Sequence, residues 1–201
     1  MIVDAQYLSN ADDQLKQIIE VVPKPEIIST NDVFHDLMSC ILEQQIHYRS
    51  TKKIFQKMLQ SAHIERLTLD NFPEFEKTAF ANSKFAIGKF ETIGQIIEFF
   101  TPNKINWALL SDAEVVEKLS SIKGIGKWTI DMILLYTLER PDVFPYDDFH
   151  LKEIMVKRYG LNPTVKLKAQ MLEIAENWGA HKSLAVKYLL AWKAFNKKGG
   201  K

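Results

Sequence analysis

Apolar residues recur three and four positions apart along nearly the whole of this 201-residue chain, and strict apolar–polar alternation is almost absent. That period returns side chains to one face of an α-helix, whereas a half-buried strand would alternate. It predicts helices over 11–20, 31–44, 47–60, about 72–80, 85–99, 112–121, 127–138, 148–159, 166–178 and 182–196. Ser111-Asp112-Ala113-Glu114 has the form of a capping box and marks a helix start. Pro23 and Pro25 separate the first two helices, and Pro163 precedes the penultimate one. The one strand-like piece expected is short and near the N-terminus. An all-α chain of about ten short helices follows.

Composition narrows the compartment more than the function. At 46% hydrophobic content the chain can build one sizeable core, or two smaller helical lobes. Cys40 is the only cysteine, which excludes a disulfide framework and a cysteine-rich zinc or iron–sulfur site, and its apolar neighbours make it a small core residue. The N-terminus is too short and polar for a secretory signal, and no apolar run approaches the ~18 residues of a membrane span. The expected setting is intracellular, either cytoplasmic or nuclear. The formal net charge of +1 is unevenly distributed. Residues 1–150 carry 15 Lys/Arg against 22 Asp/Glu, a net −7, and residues 151–201 carry 11 against 3, a net +8. A basic quarter of this kind suits a nucleic-acid-facing surface, or simply a solvated helix face with a lysine-rich tail.

The sequence becomes specific at Ile122-Lys123-Gly124-Ile125-Gly126-Lys127-Trp128-Thr129, between the helices predicted over 112–121 and 127–138. Two glycines one residue apart allow a tight hairpin and strip side chains from its surface. The second helix then starts with bare backbone N–H groups, and these together with the helix dipole bind phosphate. Ile125 is the apolar peg between the two helices, and Lys123 and Lys127 add positive charge. A bare Gly-x-Gly is also what an ordinary joint with a glycine C-cap contains; the longer string is what sets this one apart.

That string resembles the helix-hairpin-helix of the DNA glycosylase superfamily that includes endonuclease III and 3-methyladenine DNA glycosylase II. Pro141-Asp142-Val143-Phe144-Pro145-Tyr146-Asp147-Asp148 resembles the segment carrying that superfamily's catalytic Asp, in its 3-methyladenine glycosylase II form. The resemblance is strong over 115–151, fair over 30–50 and weak elsewhere. It implies a two-lobed helical bundle with a catalytic cleft between lobes. One lobe would hold 30–110 with the hairpin region 112–138, and the other would pack 1–29 with 148–196, all within a single unit of 1–201 that lacks the N-terminal β domain of larger relatives.

The function implied is excision of alkylated bases, 3-methyladenine and also 7-methylguanine, from damaged double-stranded DNA in base excision repair. Asp148 would be the catalytic carboxylate, with Asp147 its runner-up. Breaking an N-glycosidic bond develops positive charge on the sugar, and a nearby carboxylate stabilises it and orients or deprotonates the attacking water. Both Asp residues precede a predicted helix, whose N-terminus favours negative charge, and either could instead be a cap. The hairpin set would be Lys123, Gly124, Ile125, Gly126, Lys127 and Thr129. Relatives that also nick the backbone carry a Schiff-base Lys where this chain has Trp128, so hydrolysis without AP lyase activity is implied.

A glycosylase must also extrude its base and fill the gap. Gln45, then Gln44, match the duplex wedge, with His47 where the family has Ser. Trp128, Met132, Tyr48 and Trp192 would line the base pocket, with Phe85, Trp178 and Tyr188 as further candidates. No cofactor is required. The resemblance alone implies a monovalent cation on the hairpin carbonyls near Ile122 and Ile125, and a monomer is expected. Two other readings stay open: a glycosylase for a different lesion, and a non-catalytic module gripping phosphate with the hairpin.

Overall fold

The computed structural model describes residues 2–26, 28–43, 52–80 and 87–199. Among these, all regular structure is helical. The α-helices are α1 (Ile2–Ala11), α2 (Asp13–Val21), α3 (Val33–Leu42), α4 (Lys52–Ser61), α5 (Phe72–Phe75), α6 (Ile87–Phe100), α7 (Asp112–Ser120), α8 (Lys127–Met132), α9 (Phe149–Tyr159), α10 (Leu167–Glu176) and α11 (Lys182–Gly199). Wide π-helical turns extend α5 through Glu76–Phe80 and α8 through Ile133–Thr137. No described helix is long and apolar enough to cross a membrane. The chain divides into two compact units, Ser29–Leu138 on the one hand and Met1–Ile28 with Glu139–Lys201 on the other.

The Ser29–Leu138 unit is built around α3. Nine of its ten residues are buried, Asp36 and Ser39 among them, so it is a core helix rather than an amphipathic surface one. Asp32 caps it, its carboxyl accepting the His35 N–H at 3.0 Å, which sets the start two residues later than the apolar pattern alone suggested. α6, α4 and the turn after α8 pack on it. An edge-to-face ladder of aromatic rings, Phe55–Phe75–Phe80–Phe90, with centroids 6.0, 5.6 and 5.4 Å apart, fills the space beside α4 and α5. Cys40 is buried in this core, as its neighbours implied.

In the other unit α2 and α9 pack on α11, and α1 on α2. Here the expectation of a strand-like N-terminal piece fails. Residues 2–11 are helical and pack on α2, with Leu8 completely buried; tertiary burial overrides local preference. Asp12 ends α1 and organises the unit. Its Oδ1 caps α2 by accepting the Gln14 and Leu15 N–H groups at 2.8 and 3.0 Å. Its Oδ2 accepts the Trp178 indole N–H at 2.8 Å and the Tyr159 hydroxyl at 2.9 Å. Burial first, and the Asp12 charge second, push the Tyr159 hydroxyl well above the ordinary tyrosine range, so it stays a donor.

Asp12→Ala removes a cap and orphans two largely buried donors at once. The expected loss is about 3 kcal/mol, from ~1 for the cap and ~1 or more for each stranded donor. Thermal unfolding should show a fall of about 10 °C. A change of only a degree or two would mean that water replaces the carboxyl at no cost.

Candidate functional site

The hairpin lies in the Ser29–Leu138 unit. α7 starts as expected: Ser111 N–H donates to Glu114 Oε2 at 2.8 Å, while the Ser111 hydroxyl oxygen accepts the Glu114 N–H at 3.3 Å. The Ser111 hydroxyl, then its N–H, hold the Glu114 carboxyl below the usual carboxylate range. After α7 the chain turns at Ile122–Ile125, whose Ile125 N–H donates to the Ile122 carbonyl at 3.1 Å. Ile125, the expected peg, is buried, and so is Ile122.

The two glycines differ sharply. Gly124 has φ +95°, and a Cβ there would lie 2.2 Å from Thr92 Oγ1 and 2.8 Å from Thr92 Cγ2 on α6. Gly126 caps α8 in ordinary extended backbone, φ −97°, with nothing within 4 Å of where a Cβ would stand. Gly124 is thus required by conformation and close packing. At Gly126, just before the first turn of α8, the space where a Cβ would stand is open.

Of the hairpin's predicted side chains, Lys123 is exposed. Lys127 is differently engaged: its ammonium binds both Asp131 carboxyl oxygens, at 2.7 and 2.6 Å, one turn along α8. Thr129 belongs to the same expected hairpin set and is buried. At 2% exposure it faces the core, because a third residue on a helix start turns through about 200° from the first. Trp128 is half-buried, whereas Met132 is buried. Gln44, Gln45, His47, Tyr48 and Phe85 lie outside the described residues.

Asp148 lies in the other unit. It is 7% exposed and is the N-cap of α9, its Oδ1 accepting the Leu151 N–H at 2.8 Å. Asp147, the runner-up, is exposed and pairs with Lys152 at 3.2 Å. The cap and the buried position therefore belong to Asp148, because the turn closed by Asp148 N–H to the Pro145 carbonyl, at 2.9 Å, directs the second Asp inward.

The loop leading to Asp148 is fastened by Ser183 at the start of α11. Its hydroxyl donates to the Arg140 carbonyl at 2.6 Å and accepts the Val143 N–H at 2.9 Å, while its own N–H donates to the Pro141 carbonyl at 3.0 Å. Lys182 adds an ion pair to Asp142 at 2.6 Å, and Phe144 packs edge-to-face on Trp178. Nothing local to Ser183 in the sequence says that it clasps residues forty positions earlier.

Trp178 is completely buried, its N–H spent on Asp12. One face of the Trp192 ring is covered by the Arg158 guanidinium, 4.9 Å from its centroid. Tyr188 is also buried. Among the described residues no group of three or more His, Cys, Asp or Glu side chains could hold a metal ion.

No protein-family model matches the chain. It is 26% identical over 195 residues to DNA-3-methyladenine glycosylase 1 of Schizosaccharomyces pombe, covering 93% of this chain and 84% of the relative. Among solved structures, the 3-methyladenine DNA glycosylase of that yeast in complex with abasic DNA superposes with a TM-score of 0.79 at 24% identity, covering 96% of each chain. An 8-oxoguanine glycosylase/lyase of Clostridium acetobutylicum, in complex with double-stranded DNA, superposes with a TM-score of 0.74 at 22% identity, over 96% of this chain and 70% of its own. With its helical architecture, its hairpin and these likenesses along nearly all its length, the chain has the fold of the helix-hairpin-helix DNA glycosylase superfamily.

Proposed function

We propose that this protein is a monofunctional DNA glycosylase that removes alkylated bases, 3-methyladenine first and 7-methylguanine with it, in base excision repair. The observation that carries the reading is Asp148: a buried carboxyl at a helix N-terminus, on a loop clasped by Ser183, where the resemblance puts the catalytic Asp. A backbone N–H donor and the dipole of α9 favour a negative charge there. In the reaction that charge stabilises the oxocarbenium-like sugar as the base departs, and one of its oxygens orients and deprotonates the attacking water. Water adds to the sugar carbon, the base leaves with the bonding pair, and an abasic site remains.

The hairpin supplies the grip on DNA. The α8 N-terminus behind Gly126 offers backbone donors to a phosphate, with Lys123 beside it. A monovalent cation on the hairpin carbonyls belongs to the same reading: the Ile122 carbonyl is oriented by the Ile125 N–H, and an sp² oxygen has a second lone pair to offer. The reading is of a monomer acting inside the cell, in keeping with a single cysteine that is buried and unbridged.

The absence of lyase activity is part of the proposal. Trp128 stands where related lyases carry the imine-forming Lys, and indole cannot make an imine. The neighbouring Lys127 has its ammonium drawn along α8 to Asp131. Borohydride added during turnover should trap no covalent protein–DNA adduct; a trapped band on a denaturing gel would overturn this part.

The main test is direct. Duplexes carrying one alkylated base should release free base and acquire strand breaks only after alkali. Release from an oxidised or deaminated base instead would select a glycosylase for another lesion, and binding with no release would select a phosphate-gripping module.

A further inference from the structure

Asp36 is a buried carboxyl that the proposed chemistry does not use. It sits on α3 at 2% exposure, where burying such a group without partners costs several kcal/mol. Its Oδ2 accepts two hydroxyls, Thr30 and Thr137, each at 2.7 Å. Its Oδ1, and the hydroxyl of Ser39 one turn further along α3, are buried with no hydrogen-bond partner. Both partners of Asp36 thus come from the two ends of the Ser29–Leu138 unit, Thr30 where the chain enters it and Thr137 where it leaves.

Further bonds tie the same two ends. The Ser29 hydroxyl donates to the Thr137 carbonyl at 2.6 Å, and its oxygen accepts the Asn31 N–H at 2.9 Å. At each crossing one residue other than glycine is held in the left-handed region, Asn31 at φ 55° and Glu139 at φ 50°. Asparagine visits that region readily, whereas glutamate does so rarely.

The exit crossing is gripped on both sides. Thr137 is the last residue of the turn that continues α8 from the hairpin. Leu138 and Glu139 follow, and then Arg140, whose carbonyl accepts the Ser183 hydroxyl in the other unit. Only two residues therefore connect the helix that follows the hairpin to the clasped loop that bears Asp148.

We infer that Asp36 is a positioning residue: by holding Thr137 it fixes the start of this two-residue joint, and with it the covalent path from the hairpin helix to the Asp148 loop. This rests on the glycosylase reading above. If hairpin and carboxyl act on one nucleotide, loosening the joint costs excision about tenfold or more and leaves the phosphate grip intact.

The experiment compares wild type with Asp36→Asn, Thr137→Val and Thr137→Ser. It measures single-turnover excision from an alkylated duplex, affinity for an abasic duplex, and amide exchange at 138–140. Asp36→Asn and Thr137→Val should each lose about tenfold or more in excision at unchanged affinity, with faster exchange at the joint. Thr137→Ser keeps the hydroxyl and should restore all three to near wild type. Excision by Thr137→Val equal to wild type overturns the role of Asp36 alone, as does a loss in which affinity falls in proportion. A wild-type protein that releases no base sinks the glycosylase reading itself, and this role with it.

Discussion

Asp148→Asn is expected to bind alkylated duplex as wild type does and to release base at least ~10²-fold more slowly, the scale of removing one key electrostatic or acid–base group. The substitution is well suited to the site. Asn caps helices about as well as Asp, so its side-chain oxygen still accepts the Leu151 N–H and α9 still starts at Phe149. What is lost is the negative charge opposite the developing oxocarbenium and the base that takes the water's proton. Single-turnover release of free base, measured beside affinity for an abasic duplex, separates the two quantities. Asp147→Asn is the control: its carboxyl is exposed and paired with Lys152, and such pairs contribute little. If release by Asp148→Asn matched wild type while Asp147→Asn lost it, the assignment of the two carboxyls would be reversed.

Gly124→Ala should be the most destabilising single change in the hairpin, while Gly126→Ala should leave stability nearly unchanged. At Gly124 a new Cβ meets Thr92 Oγ1 at 2.2 Å in a left-handed backbone. Overpacking of this kind costs about 1–3 kcal/mol, and the left-handed conformation adds about 1 more for a residue with a Cβ. Denaturant unfolding should therefore show a loss of roughly 3 kcal/mol, partly recovered by Thr92→Ala. At Gly126 the Cβ enters open space at an ordinary φ, so the fold stands. A methyl group is then placed before the α8 N-terminus, where a phosphate would approach. Affinity for every duplex, damaged or not, should fall about tenfold, the loss of one charge-assisted hydrogen bond. A loss confined to one lesion would contradict the phosphate-grip role, and equal destabilisation by the two substitutions would contradict the geometry.

Much of this protein was legible from residue order. The three-to-four spacing predicts an all-helical chain because burying one helix face demands it, and most expected helices appear within a few residues of their predicted ends. Capping chemistry is local, so Ser111 and Glu114 were readable as a helix start. The string around Gly124 and Gly126, with the segment ending in Asp148, was enough to suggest the superfamily. Chain order alone also suggested that an Asp before α9 would be buried chemistry or a cap.

What sequence could not decide depends on partners distant along the chain. Whether residues 2–11 are helix or strand is settled by where Leu8 finds a core. That Asp148 rather than Asp147 is the cap follows from the turn closed by the Asp148 N–H on the Pro145 carbonyl, at the end of a loop that Ser183 fastens from some forty residues further on. The unequal roles of the two glycines come from Thr92, more than thirty residues upstream. Asp36 reads locally as one more acidic residue in a helix; only the fold brings Thr30 and Thr137 to the same oxygen. Local rules act through the backbone and its near neighbours, and so determine which elements form. The hydrogen bonds that position Asp148 and the hairpin join groups far apart in the chain, and only tertiary packing can bring those groups within 3 Å of one another.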